Sequence, residues 1–367
     1  MHEQQLFIKI YLRRLLFLLI AIFSSLQQSR GKSIDYGERV NLGALSTEML
    51  INSEYPEKAD HIRTDQPYRT ADFTLDGPGV LNVSTFGGDI RVNRSPDQDQ
   101  DHVHVELYVN RGFALWSSSK SMDNYLITIL KRGNEITASV EQKKRDGGFW
   151  GGGNMGFTFV ITVPQNISGN LNTAGGDIEI EGVKGNQVLK TAGGHISASG
   201  IEGQVIAQNA GGNISLSGID GVIRADNKGG NIDIDSSRGS INARSVGGHV
   251  RVDHSNGEVR IKSAAGDVTA RHITGTLLVK SQVGNIDVSM DAVDQGVSLE
   301  TSVGNISAKL PGNTGYDLVL NARDVNMERK NEFKGQQRTG KLEGQFKEGG
   351  VPVNMKSNTG HVSLNFD

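Results

Sequence analysis

Glycine recurs in this chain at a fixed interval, and that interval constrains the fold more than any other feature. Gly176, Gly194, Gly212, Gly230, Gly248, Gly266 and Gly284 occupy every eighteenth position, and Gly304 follows at a spacing of twenty. A second series, Gly185, Gly203, Gly221, Gly239, Gly257 and Gly275, falls midway between members of the first. Regularly spaced glycine marks turns that need positive φ or close backbone approach. Each 18-residue unit therefore holds two turns and two strand-sized segments. Glycine is also the compositional outlier, 47 of 367 residues against 7 Pro, and the lack of a three-residue period excludes collagen.

Apolar residues alternate with polar ones between the turns. Two residues after the first glycine series stand Ile178, Ile196, Ile214, Ile232, Val250, Val268, Ile286 and Ile306. Four residues after it stand Ile180, Ala198, Leu216, Ile234, Val252, Ala270, Val288 and Ala308. The second segment contributes Val205, Ile223, Ile241, Val259 and Leu277, then Leu189, Ala207, Ala225, Ala243, Ile261 and Val279. Period-2 alternation with one apolar face is the pattern of a half-buried strand. One unit offers about four inward aliphatics at roughly 1.5–3 kcal/mol each, against roughly 1–2 kcal/mol of backbone entropy for each residue ordered. A lone unit cannot fold, whereas stacked units pair above and below and merge their apolar ladders. The fold class that follows is all-β: a parallel β-solenoid with 18-residue coils of two strands each. At ~4.8 Å per coil, eight coils extend roughly 38 Å. The many inward alanines imply a thin core.

Two polar ladders accompany the apolar ones. Asp177, His195, Asn213, Asn231, His249, Asp267, Asn285 and Asn305 follow the first glycine series directly. Thr191, Asn209, Asn227, Ser245, Ser263 and Ser281 form the other. Both read as turn-stabilising, since such side chains bond nearby backbone.

The regular array spans 169–310. Before it, 71–168 reads as an irregular N-terminal β region that caps the solenoid. It holds one early motif copy at Gly88, strand-like segments at His102–Val109, Tyr125–Leu130, Glu135–Gln142 and Phe157–Pro164, and a Gly-rich loop at Asp146–Gly156. After it, 311–367 reads as C-terminal strands and a cap, in which the motif copy at Gly360 closes the far end. Residues 32–70 are polar, low in pattern and read as partly disordered. Residues 1–31 combine Lys9, Arg13 and Arg14 with the apolar run Leu15–Phe23 and a polar exit, which describes a secretory signal peptide. Left uncleaved, the same segment would be a membrane anchor. Either way the chain is exported, to the periplasm, the outer surface or the medium.

Composition limits the function classes. A formal net charge of −3 gives no basic field for nucleic acid. The absence of Cys excludes disulfides, thiolate metal sites and a Cys nucleophile. The repeats lack the later glycine and fixed Asp of calcium-binding β-rolls. His254 and His272 are one repeat apart and stack in adjacent coils, where Asp253 would be a third ligand to zinc. A surface stack beside the turn is the reading preferred from sequence. His195 and His249, three coils apart at ~14 Å, cannot share a metal. Asp233 and Asp235 lie on one outward face, with Arg251 stacked beside Asp233 and Arg271 beside Asp253 as inter-coil ion pairs. No catalytic, cofactor-binding or metal-ligating residue is assigned from the sequence, and no cofactor is called for. Phe149 and Trp150, at the centre of the Gly-rich loop, are the one candidate partner contact. They either fold back on the β region or form an exposed aromatic tip.

The segment FVITVPQNISGNLNT, followed by repeated S/T-x-x-G-D/N-I phrases, resembles the bacterial putative-adhesin family. The resemblance runs from about Ala71 to the C-terminus. It implies an exported β-solenoid of the cell envelope with no established catalytic residues. His195 and His249 depart from the Asp or Asn usual at their position. The leading reading is a non-enzymatic surface or envelope module for binding or adhesion, its partner a protein or glycan at the cell surface, with membrane contact only through an uncleaved N-terminal segment. A carbohydrate-active β-helix enzyme and a membrane-tethered envelope scaffold or sensor are the alternatives.

Overall fold

Inward aliphatic and outward polar residues alternate along the backbone, and the chain extends accordingly. The computed structural model describes residues 66–96, 101–111, 122–143 and 155–367. Among them the regular structure is all-β, apart from two single 3-10 turns at Met122–Asn124 and Lys330–Glu332. No helix among the described residues is long and apolar enough to cross a membrane. Residues 1–31, most of 32–70, and the Phe149–Trp150 tip lie outside the described residues.

The strands join in one 26-stranded hydrogen-bonded network. Its middle is parallel. Ile196 pairs with Ile178 on one side and Ile214 on the other, while Ile206 pairs with Val188 and Arg224. Each pairing step advances the chain by one repeat, so like residues stack on like. The two segments of one repeat thus form a tier. From Val250 onward they run round the corner as single strands, Val250–Ala265, Val268–Val283 and Ile286–Val303. The last of these carries two extra residues, and the register with its neighbour shifts between Ala270 and Leu277.

The inward ladders are buried as the alternation requires. Ile178, Ile196, Ile214 and Ile232 are all at most 1% exposed, as are Ala207, Ala225 and Ala243. Both polar ladders bond backbone. Asn209 and Asn227, buried at the glycine corner, donate through Nδ2 to Gly194 O and Gly212 O of the preceding tier at 2.7 and 2.8 Å. In the other ladder each side chain accepts the backbone N–H of its counterpart one tier on. Asn231 N–H donates to Asn213 Oδ1 at 2.9 Å. Asn213 N–H donates to His195 Nδ1 at 3.0 Å, and Asp267 N–H to His249 Nδ1 at 3.1 Å. A histidine fits this ladder because an unprotonated ring nitrogen accepts where a carboxyl or amide oxygen otherwise would.

Chain order and tier order differ at both ends. Strands Gly79–Thr85 and Ile90–Arg94 form a tier between Ile167–Thr173/Ile178–Glu181 and Glu135–Gln142/Met155–Val163. Antiparallel strands Tyr125–Arg132 and His102–Arg111 lie on the outer tier, with Arg69–Thr74 beyond. At the C-terminus the sequence expectation needs correction. The motif copy at Gly360 does not close the stack. Strands Val351–Ser357 and His361–Phe366 pair inward with Ile286–Val303 and Ile306–Leu310, and outward with Tyr316–Asn321 and Asp324–Met327. The motif itself explains this, since its backbone packs directly on the Gly304 turn: His361 N–H donates to Asn305 Oδ1 at 2.9 Å. Antiparallel strands Lys341–Phe346 and Phe333–Arg338 then cover the outermost tier. Tyr316, Phe346 and Phe366 stack there with centroids 4.0–6.2 Å apart, under the Arg329 guanidinium. Large aromatics thus fill the end where the alanine-lined middle needs none.

Candidate binding corner

The turn opposite the double glycines carries the main departures from the repeat. Gly182, Gly200, Gly218, Ser236, His254 and His272 occupy it in successive tiers, all left-handed, with φ of 72°, 61°, 62°, 50°, 46° and 52°. A β-carbon on Gly200 or Gly218 would meet nothing nearer than 3.6 Å, so space admits a side chain. The backbone resists one, because an L-residue in this conformation costs roughly 1–2 kcal/mol. Ser236, His254 and His272 each carry that cost.

The next position is an inward ladder that strict period-2 counting misses: Val183, Ile201, Ile219, Ser237, Ser255 and Ile273, all buried. Two serines interrupt its aliphatics, in the tiers that also carry Asp235 and Asp253. Ser237 Oγ donates to Asp235 O at 2.9 Å, and Ser255 Oγ to Asp253 O at 3.0 Å.

Asp253 is buried at 6% exposure, although alternation places it on the outward face beside Asp235. The side chains of Arg251, His254 and His272 lie against it. Its Oδ1 accepts the His254 backbone N–H at 3.0 Å and lies 3.2 Å from His254 Nδ1 and 3.0 Å from His272 Nδ1. Its Oδ2 accepts from the Arg251 guanidinium at 2.9 Å. The two imidazoles stack with centroids 4.4 Å apart and an interplanar angle of 8°. Burial works to raise the Asp253 carboxyl, but the bonds from His272 and Arg251 and the adjacent His254 outweigh it and hold it below the usual carboxylate range. Arg251 is register-paired with Asp233 and Arg271 with Asp253, as the spacing requires, but neither guanidinium forms the ion pair expected there. Arg251 turns to Asp253, and Arg271 reaches Asp287 at 2.8 Å.

A groove of about 520 Å³ runs along this corner, lined by Gly200, Glu202, Gly218, Ile219, Asp220, Ser236, Ser237, Arg238, His254 and Asn256. The missing side chains at Gly200 and Gly218 open it. Glu202, Asp220, Arg238 and Asn256 form one wall in direct register. Lys184 Nζ lies 2.8 Å from Glu202, and Arg238 lies 3.3 Å from Asp220, so the wall carries both signs of charge. Such a surface offers donors and acceptors at one-tier intervals.

A family model described as Toastrack DUF4097 matches residues 114–365. No curated protein matches the chain. Three solved structures are similar to it. A putative cell adhesion protein from Clostridium sporogenes is 10% identical, covering 82% of this chain and 100% of its own, with a TM-score of 0.20. A putative adhesin from Bacteroides fragilis is 15% identical, covering 81% and 96%, with a TM-score of 0.26. A putative adhesin from Parabacteroides merdae is 15% identical, covering 83% and 99%, with a TM-score of 0.25.

Proposed function

This chain belongs to the Toastrack DUF4097 family, and on that premise we propose that it is an exported, non-enzymatic β-solenoid serving as a cell-surface or envelope binding module. The observation that carries the reading is the groove at the left-handed corner. Its floor lacks side chains at Gly200 and Gly218, and its wall repeats polar groups tier by tier. An extended polar chain with its own repeat, such as a surface glycan, fits a groove of that kind, because regularly spaced donors and acceptors serve successive units of the ligand. The Phe149–Trp150 tip is proposed as a second contact. Export through the N-terminal segment places the module where such a ligand is found.

Binding of the full chain to a panel of bacterial surface polysaccharides, read by surface plasmon resonance, tests this. Gly200→Asn and Gly218→Asn fill the groove with a residue that tolerates the left-handed backbone. Binding that weakens at least tenfold in both variants supports the reading. Absence of binding to every polysaccharide, or equal binding by the filled variants, refutes it.

A further inference from the structure

We propose that Asp253, His254 and His272 form a site for a borderline divalent transition-metal ion, with zinc as its representative. Asp253 Oδ1 lies 3.2 Å from one imidazole nitrogen and 3.0 Å from the other, and all three ligand atoms fall within 4.8 Å of one another. A tetrahedral zinc ion with bonds of about 2.0–2.1 Å has ligand–ligand edges of about 3.3 Å. The two oxygen–nitrogen separations therefore already stand near the edge of that tetrahedron, and the nitrogen–nitrogen separation lies within 4.8 Å. Two neutral imidazoles and one carboxylate are a set that zinc takes, with solvent in the open fourth position. The rings stand nearly parallel, so coordination of one ion by both requires them to rotate out of the stack. Both side chains are half-exposed, so the rotation gives up the ring stack but no core packing. Arg251 holds Asp253 Oδ2, which leaves Oδ1 for the metal and fixes the carboxylate's orientation.

The repeat supplies an independent argument. The tiers of Gly182, Gly200 and Gly218 solve this turn with a left-handed glycine followed by a buried aliphatic, and Ser236–Ser237 is the first tier to depart from that rule. Here two successive tiers accept a strained histidine, and Ser255 replaces the aliphatic beneath one of them. The two-residue insertion and its register shifts fall against the His272 tier. Local rules broken together at one place mark a site laid on a scaffold.

His254 also lines the groove, but the inference does not rest on the glycan reading, and its test needs no groove ligand. The probe is zinc chloride added to the full, untagged chain near pH 7.5, measured by competition with a chromophoric chelator. Co²⁺ is added in parallel to read coordination from its visible absorption. The expected result is one ion per chain with the intense bands of tetrahedral Co²⁺. Affinity falls at least tenfold in His254→Gly and in His272→Gly and by a hundredfold or more in the double variant. Glycine is the residue this turn carries in three other tiers, so these variants keep the fold, which circular dichroism and Tm verify. A His102→Ala, His104→Ala variant removes the other histidine pair that shares a carboxylate, on Asp72, and leaves binding unchanged. Zinc binding that survives the double glycine variant, binding lost only on removal of His102 and His104, or no binding at all overturns the proposal.

Discussion

Replacing Gly257 by alanine and, separately, Gly218 by alanine puts the same methyl group into two turns of one stack, with very different consequences. Gly257 has a φ of +128°, and a β-carbon there would overlap the carbonyl oxygen of Gly239 and lie 2.9 Å from its carbon. The backbone conformation costs an L-residue about 1–3 kcal/mol. Forcing apart two hydrogen-bonded tiers adds about 1–3 kcal/mol, as overpacking does elsewhere. Gly257→Ala is therefore expected to destabilise by about 2–6 kcal/mol. Gly218 has a φ of +62° and meets nothing nearer than 3.6 Å. Its alanine variant bears the left-handed penalty of roughly 1–2 kcal/mol, reduced by about 0.4–1 kcal/mol because the unfolded chain is also restricted. A net cost of about 1 kcal/mol follows. Urea denaturation of both variants, followed by circular dichroism, reads the difference. Equal costs, or a Gly257→Ala cost below about 1 kcal/mol, would refute the argument that one series of glycines is held by contact between tiers and the other by conformation alone.

Three further outcomes are expected. His195→Asn is neutral within about 0.5 kcal/mol because the amide oxygen replaces Nδ1 as acceptor for Asn213 N–H, whereas His195→Ala costs about 0.5–1.5 kcal/mol; urea midpoints separate the two. Ala225→Leu destabilises by about 1–3 kcal/mol, since Ala225 is fully buried in the thin part of the core, and thermal unfolding should show it. The hydrogen bond between Asp72 and His104 lowers the carboxyl and raises the imidazole. The raised His104 contributes below the ordinary histidine value near 6.5 and loses its contribution as pH rises through its folded value. The lowered Asp72 contributes above the ordinary carboxylate value near 3.8 and loses its contribution as pH falls through its folded value. Asp72→Asn should therefore cost a few tenths of a kcal/mol at pH 5.5 and less at pH 8.5, the small size reflecting solvent exposure of both groups. An equal cost at the two pH values would contradict that linkage.

The sequence and the structure agree most closely where repetition and alternation act together. Ile196 and Ala207 could be placed inward from spacing alone, because a strand period of two is rigid and each tier repeats the last. The glycine-corner ladder of Asn209 and Asn227 was legible for the same reason. The corner ladder of Val183 and Ile219 was not, because a left-handed residue interrupts the alternation just before it, and Ser237 and Ser255 disguise its apolar character. Asp253 stands beside both histidines as the repeat spacing requires, yet its burial follows from the side chains of Arg251, His254 and His272 that close around it, which no pattern count reveals. The signal lay in the alignment of the repeats itself: a histidine where other tiers have glycine is a conformational anomaly readable from sequence. The threading of Val351–Ser357 and His361–Phe366 inside the Tyr316–Met327 tier rests on long-range pairing, which spacing does not encode.

Like residues stack at one strand spacing per repeat in this account, and the absence of cysteine makes that directly measurable, since introduced cysteines are then the only labelling sites. Spin labels at Ser197 paired in turn with Arg251, Asp287 and Ser307 sample three, five and six tiers along one outward ladder. At ~4.8 Å per tier, electron–electron distance measurements should give separations near ~14, ~24 and ~29 Å, rising linearly with tier number. Distances that fail to increase with tier number, or that scatter without a common increment, would contradict the stack.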